Sequence, residues 1–505
     1  MSIASLLREQ IADIDSQLPA LRQQLADLEA RQAQFVAQLS EIKFPVLTLP
    51  HEVTLYIWSF VLEPWNPVYE YSEYVPAQPA LVLASVCRVW RQLALSTTEL
   101  WSTLIVSWPH TGPVYSILLA SLFLKRSGSI RPLDVDFRFI GRPEHIQSIQ
   151  VEEAFNTLKP VEGRLQRLRI SYDGQGVDSA FLDPKILPDA LPKLQVLDLG
   201  SFRLSDKTNN ISTRSTPRLS YLRVESAQMA RRLGLSPCNL VTLVLSCVEP
   251  VQTAEMLSAA PRLETLHLGK GRSEESVTGA SRRRLGGDLC LVHLRELSCL
   301  HADWAELIDR LSLPRLESAI LGYSLDTRAA AAFTLCIRCN PQPPLRELTI
   351  RGIAVGATWR AIVCLPPTVS ELTLDALPWD FAHTAQFCQD VRTRLLLPGL
   401  KHLRVENWAC NYEDPATVAT VGLWVDTVAS RWIDRTTAKS VNSASPESAP
   451  PPVRLKSFFL GLSNSDDSDW HIKELQVLDP LRKMKDEGLD VRVFIKNRFT
   501  CSLPI

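Results

Sequence analysis

The feature that most constrains this chain is a short apolar unit, Leu-x-x-Leu-x-Leu, that recurs between residues 165 and 460. It reads Leu165-Leu168-Ile170, Leu194-Leu197-Leu199, Leu219-Leu222-Val224, Leu240-Leu243-Leu245 and Leu263-Leu266-Leu268. It continues through Leu294-Leu297-Cys299, Leu316-Ala319-Leu321, Leu345-Leu348-Ile350, Val369-Leu372-Leu374, Leu400-Leu403-Val405 and, after a gap, Leu455-Phe458-Leu460. Up to Leu400 the starts lie 21 to 31 residues apart, and many units are opened by proline. Alternate positions such as Gln166 and Arg167, Glu264 and Thr265, or Arg346 and Glu347 are polar, as a strand solvated on one face requires. Helical segments are predicted between strands, for example over Thr253 to Ala260, Trp304 to Leu311, Ala329 to Arg338 and Phe381 to Leu395. Each buried leucine contributes roughly 1.5–3 kcal/mol, but only where the next unit stacks on it, so the array should stand or fall as a block.

A repeat of this length and pattern fits a leucine-rich repeat. The asparagine expected after the third apolar position is mostly absent; Gly200, Glu225, Ser246, Gly269 and Gly322 occupy nearby places. The expectation is therefore an irregular leucine-rich-repeat-like solenoid over residues 107–505, of α/β class. It opens with a helix over Val114 to Lys125 and an extended segment over Pro132 to Phe137. Lys270 to Gly287 is polar and glycine-bearing, hence a loop. The Ser-, Ala- and Pro-rich stretch Thr436 to Pro452 is predicted to be disordered. Trp470 to Met484 reads as a helix and Leu489 to Ile495 as a closing strand.

Residues 1–43 carry a different pattern. Leu7, Ile14, Leu21, Leu28, Phe35 and Ile42 fill one seam position of a heptad, and Ile11, Leu18, Leu25 and Leu39 the other, with Gln32 the interruption. That is the signature of a coiled-coil helix. Pro19 lies inside it and should kink or split it, at about 3 kcal/mol. The flanking Gln10, Gln17, Gln24 and Gln38 give little charge-based choice of partner. The segment is either a self-association or partner helix, the former making a homo-oligomer through residues 1–43, or an amphipathic helix folded onto its own chain, and Pro19 argues against a long parallel dimer.

Between these parts lies a compact helical unit, residues 44–106. Proline at the first turn of a helix costs little, and Leu49-Pro50 precedes an apolar stripe at Val53, Ile57 and Val61. A second stripe runs through Leu83, Val86, Val89, Trp90, Leu93 and Ala94 towards Trp101. Two short helices with Trp and Leu side chains would be marginal alone and should lean on a partner. The residues 63–79 between the stripes form an acidic, aromatic, proline-bearing insert, which reads as a surface loop.

Leu49-Pro50-x-Glu52, Ile57-Trp58, Val86-Cys87-x-x-Trp90-Arg91-x-Leu93-Ala94 and Leu100-Trp101 together resemble the F-box, in the diverged F-box-like form common in fungal proteins. Two departures stand out: the insert 63–79, and Thr98 where relatives usually have proline. The resemblance implies docking onto a Skp-family adaptor and, through it, a cullin. It casts Leu49, Pro50, Val53, Ile57, Trp58, Val86, Trp90 and Leu93 as the adaptor-contacting or adaptor-shaping residues.

Other classes find little footing. A net charge of −1 argues against a polyanion-binding surface, so no nucleic acid partner is expected. Eleven scattered cysteines read as reduced thiols. No cationic leader, no 18-residue apolar run and no C-terminal prenylation signal are read, so the expectation is no membrane and an intracellular chain, cytoplasmic or nuclear. His51-Glu52-Val53-Thr54-Leu55 starts like a zinc-binding helix but has Leu55 where the second histidine must project. Cys336-x-x-Cys339 is a lone pair, read as buried thiols, and the Gly269-Lys270-Gly271-Arg272-Ser273 run lacks phosphate-loop spacing. Arg282-Arg283-Arg284 suits a solvated loop, a nuclear import patch or a phosphate grip. Trp359, Trp379, Trp408 and Trp424 are either core or exposed anchors. No cofactor and no catalytic residue set is expected. The function implied by the resemblance is a non-enzymatic substrate receptor of an SCF-type cullin-RING ubiquitin ligase, its array binding a protein substrate. The alternative is a self-associating scaffold with a non-functional F-box.

Overall fold

The computed structural model describes residues 3–41, 49–60, 78–109, 114–140, 148–173, 180–182, 187–188, 190–200, 202–204, 214–247, 250–269 and 289–301. In the rest of the chain it describes 304–324, 327–339, 344–352, 365–376, 381–393, 396–410, 415–432, 453–464 and 476–496. The chain divides into two compact units, Met1–Trp101 and Ser102–Ile505. It is a mixed α/β protein with a long N-terminal helix and a large parallel sheet.

In the first unit, α1 spans Ile3–Glu41 as one helix, with Pro19 inside it. The split expected at Pro19 does not occur: the missing N–H removes one rung, and the turns on either side keep theirs. Three short helices follow: α2 (His51–Ser59), α3 (Pro79–Val86) and α4 (Arg88–Ser96), with a 3-10 turn at Thr98–Trp101. The second apolar stripe is thus two helices rather than one. The chain is extended at Cys87 (φ −154°, ψ 173°), whose sulfur accepts the Trp90 N–H at 3.4 Å and so caps α4. Arg91 ties the two helices together by donating from Nε to the Ala84 carbonyl at 2.9 Å.

The second unit is a parallel sheet of fourteen strands among the described residues. In spatial order they are Thr103–Pro109, Leu133–Ile140, Leu165–Asp173, Val196–Asp198, Tyr221–Val224, Thr242–Leu245 and Thr265–Leu268. The order continues with Glu296–His301, Ser318–Ser324, Glu347–Arg351, Glu371–Asp375, His402–Cys410, Ser457–Asn464 and Asp490–Lys496. Spatial order is sequence order, apart from two small side pairs, Ala180–Leu182 with Phe202–Leu204 and Leu289–Cys290 with Leu311–Ser312. Because parallel crossovers are right-handed, a sheet that always advances in one direction carries its connections on one face and leaves the other open. Thr103–Val106, read with the helical unit on sequence, belongs to the first strand of this sheet.

The repeat explains the covered face. Leu168, Leu197, Leu222, Leu243 and Leu266 occupy one register row, all 0% exposed, and Ile170, Leu199, Val224, Leu245 and Leu268 lie two residues on, equally buried. The prolines that open many units have a local purpose. In Leu191-Pro192-x-Leu194, Thr216-Pro217-x-Leu219, Ala260-Pro261-x-Leu263, Leu313-Pro314-x-Leu316 and Leu397-Pro398-x-Leu400, the leucine N–H donates to the carbonyl three residues back at 3.1–3.3 Å. Proline's fixed φ suits the second position of such a turn. Immediately after that leucine, a second rung sets the register. Gln195 donates its N–H to the Gln166 carbonyl (2.8 Å), Ser220 to Gln195 (2.9 Å), Val241 to Ser220 (2.8 Å) and Glu264 to Val241 (2.8 Å). The same step continues through Arg295, Glu317, Arg346, Ser370, Lys401 and Lys456.

Truncating a row leucine should act on the sheet as a whole. Leu243→Ala is expected to cost about 2–5 kcal/mol and Thr242→Ala on the open face within about 0.5 kcal/mol, read as shifts in the urea midpoint of the full chain.

Candidate docking surfaces

The helical unit has a dry interior and a greasy exterior. Pro50 sits at the N-cap of α2, and its carbonyl accepts from the Thr54 N–H at 3.0 Å and the Thr54 hydroxyl at 3.2 Å. Thr54 and Trp58 form the inward side of this helix, and Trp58 meets the Trp90 ring edge-on at 5.2 Å. Ala80, Leu83, Ala94, Leu100 and Trp101 complete the interior, with the Trp101 indole N–H donating to the Ala94 carbonyl at 2.8 Å. This leaves the Val53 and Ile57 stripe pointing out.

Of the residues nominated on sequence, Pro50, Val53, Ile57 and Val86 are exposed, Leu49, Trp90 and Leu93 are half-buried, and Trp58 is buried. Trp58 therefore shapes the surface from beneath and does not present itself on it. The structure adds Tyr56, Phe60 and Val82, which the sequence pattern did not single out, and Val89, which it placed in the second stripe without casting it as a contact residue. Tyr56 and Phe60 pack edge to face at 5.0 Å on the same side of α2 as Val53 and Ile57. Together with Val82, Val86 and Val89 these side chains are 42–69% exposed. Exposed apolar groups concentrated in so small a unit make it a candidate interaction surface.

The open face of the sheet is the second surface, and its register makes a charge pattern. Asp136, Arg169, Asp198 and Arg223 are consecutive partners across four strands. Arg169 Nε lies 3.4 Å and Arg223 Nε 3.9 Å from the Asp198 carboxylate, and Arg138 lies 2.9 Å from Asp136. One row over, Arg167 is 3.7 Å from Asp134. Burial raises the pKa of Asp134, Asp136 and Asp198 above the ordinary value of 3.8, against the opposing pull of these arginines. The middle of the row is nearly neutral, with Val244, His267, Ser298, Ile320 and Thr349 in succession. Burial holds His267 below its usual pKa.

Towards the last strands a hollow of about 260 Å³ opens on this face, lined by Glu371, His402, Arg404, Phe459 and Arg492 among others. Arg404 lies over the Phe459 ring at 4.3 Å, Phe459 stacks on Phe494 at 5.0 Å, and His402 Nδ1 is 2.7 Å from the Ser457 hydroxyl. Arginine on an aromatic floor offers both charge and flat apolar area, a pairing suited to protein side chains.

The remaining motifs fall elsewhere. Cys336 is buried and donates its S–H to the Leu311 carbonyl at 3.1 Å. Burial pushes the Cys299 thiol up, with Cys336 nearby adding to the effect, and pushes Cys388 up to about 11. Trp424 is core, packed against Phe387 at 5.6 Å. Trp359, Trp379, the side chain of Trp408, Arg282-Arg283-Arg284, the loop 270–287, most of the insert 63–79 and the segment 436–452 lie outside the described residues. Among the described residues no group of three or more His, Cys, Asp or Glu is placed to hold a metal, and no helix is long and apolar enough to cross a membrane.

No protein-family model matches this chain, and no curated protein matches it. The class defined by the fold is thus a mixed α/β protein with two surfaces of opposite character, one apolar and helical, one polar and laid across a sheet.

The buried carboxylates give the sheet a distinct pH response. A folded-state pKa above the unfolded value means the native state holds more protons between the two values, so stability falls as pH rises through that window. His267 acts in the opposite sense below its ordinary 6.5, so a comparison within one background is needed. Wild type is expected to gain stability over Asp198→Asn as pH falls from 7 towards 3.8, read from melting temperatures along the pH series. An unchanged gap between the two proteins would remove the desolvated carboxylate from the account.

Proposed function

We propose that the chain is a non-catalytic substrate receptor of an SCF-type cullin-RING ubiquitin ligase. Residues 44–106 act as an F-box-like dock for a Skp-family adaptor, and residues 107–505 as an irregular leucine-rich-repeat solenoid that holds a protein substrate. The observation that carries the reading is α2: a helix opened by Leu49-Pro50 whose Trp58 side is buried while Val53, Tyr56, Ile57 and Phe60 face outward. In the family the chain resembles, the corresponding helices are what the adaptor covers.

The sheet suits the second task. Strands pack about 4.8 Å apart, whereas helices need about 8–10 Å. Wherever a helix backs a strand, the sheet must bend with its open face inside, and a concave face is where such arrays take protein ligands. Catalysis comes from proximity: a bound substrate is held at high effective concentration near a conjugating enzyme carried by other subunits. The compartment that follows is intracellular, cytoplasmic or nuclear. A second reading, a self-associating scaffold with a vestigial F-box, draws on the exposed seam of α1.

Co-expression with a Skp-family adaptor tests the first reading. Covering a Val or Ile is worth roughly 1.5–3 kcal/mol and a tenfold change in affinity is about 1.4 kcal/mol. Val53→Asp with Ile57→Asp is therefore expected to weaken adaptor retention at least tenfold while leaving the helical signal intact, since both side chains are outside the core. A wild-type chain that retains no adaptor, or a double variant that retains it equally, overturns the proposal; an adaptor-free oligomer favours the scaffold.

A further inference from the structure

We infer that α1 pairs with α1 of a second copy of this chain, parallel and in register, as a two-stranded coiled coil. The helix is about 58 Å long at 1.5 Å per residue, and its apolar seam is left to solvent. Leu7, Ile11, Ile14, Leu21, Leu25, Leu28 and Phe35 are 51–62% exposed, and Leu18 is half-buried. A strip of this length at strict 4–3 spacing is the shape another such strip covers. Pro19 falls just outside the seam, after Leu18, so its ring does not stand between the helices.

The residues flanking the seam select the second copy and its direction. With copies parallel and aligned, Gln10 meets the second copy's Asp15, Gln17 its Arg22, Gln24 its Glu29 and Arg31 its Val36. None of these is a like-charge pair. Gln32, the polar seam residue, meets Gln32, and two side-chain amides can each donate and accept. A fully overlapped antiparallel pair instead sets Asp15 against Glu29, Arg22 against Arg22 and Gln32 against Ile14. Sliding that pair by one heptad relieves the charges but sets Gln32 against Leu7 or Leu21 and shortens the overlap. A single polar seam residue that meets only its own kind is a known way to fix register.

The inference is independent of adaptor binding, and its test uses the full chain alone. Sedimentation at micromolar concentration is expected to give twice the mass of one chain. Leu21→Glu with Leu25→Glu should halve it, whereas Ala30→Glu on the outer side should not. Direction is read separately: Gln32→Cys is expected to form an oxidised dimer beyond any background shown by wild type. In the overlapped antiparallel pair the two introduced thiols would lie about 27 Å apart along the axis and would not join. A wild-type chain that sediments as one copy, a seam variant that keeps the doubled mass, or a Gln32→Cys variant that fails to cross-link overturns the arrangement.

Discussion

The second unit depends on a line of main-chain hydrogen bonds that runs across the sheet just before each strand. The donor is the residue after the first leucine of a unit, and the acceptor is its counterpart one unit earlier, from Lys456 on Lys401 back to Gln195 on Gln166. These rungs join main-chain atoms only, so the side chains at Gln166, Gln195, Ser220, Val241 and Glu264 differ freely from unit to unit. Strands as short as Val196–Asp198 could not persist alone; this one is held because both neighbours pair with it in the same register. Once register is fixed, each leucine is delivered to its row, and the described helices between strands are backed by that buried face.

That arrangement frees the other face to carry chemistry unrelated to folding. Between Leu133–Ile140 and Tyr221–Val224 it carries charges in alternation, and the carboxylates there are so well covered that they hold their protons more tightly than in water. Buried ion pairs add little net stability, because desolvation consumes what attraction supplies. Their usefulness lies in shape, since Arg169, Asp198 and Arg223 hold one another in a fixed line. Around Val244, His267 and Ser298 the face turns neutral, and near Arg404 and Phe459 it becomes charged and aromatic. One regular backbone thus displays three chemically different zones.

Much of this organisation could be read from the residues. Each of the eleven apolar units from Leu165 to Leu460 has its strand, and the helices foreseen near residues 114, 253, 329 and 381 appear at Val114–Arg126, Pro250–Ser258, Thr327–Cys339 and Phe381–Arg392. Period two and a fixed spacing report strands because sheet pairing repeats them many times. The strand Thr103–Pro109 escaped because Leu104 and Val106 follow directly on Leu100-Trp101, and an apolar run does not say where a helical unit yields to a sheet. The break at Cys87 escaped because Ala84, Val86 and Val89 are all compatible with an unbroken helix. On the open face, polarity was legible but partnership was not: Asp198 and Arg223 are 25 residues apart, and only register brings them together. For α2, periodicity identified the stripe at Val53 and Ile57 without saying whether it faced in or out, so Tyr56 and Phe60 were passed over.

The outward stripe carries its own physical argument. A core made of Trp58, Leu83, Ala94, Leu100 and Trp101 is already closed, so Val53, Ile57 and Phe60 are not required for folding. Leaving such side chains in water invites aggregation, and a chain that keeps them outside a filled core gains only if something else covers them. The two apolar surfaces of the first unit differ in a way that bears on what that is. The seam of α1 is periodic, aliphatic and matched to itself over about five heptads, which suits a like helix. The α2 face is short, mixes two aromatic rings with Val and Ile, and has no internal repeat, so an identical copy cannot complement it by the same rule. Under the proposed reading its partner is unlike, with pockets for Tyr56 and Phe60, and the two associations would then draw on different side chains.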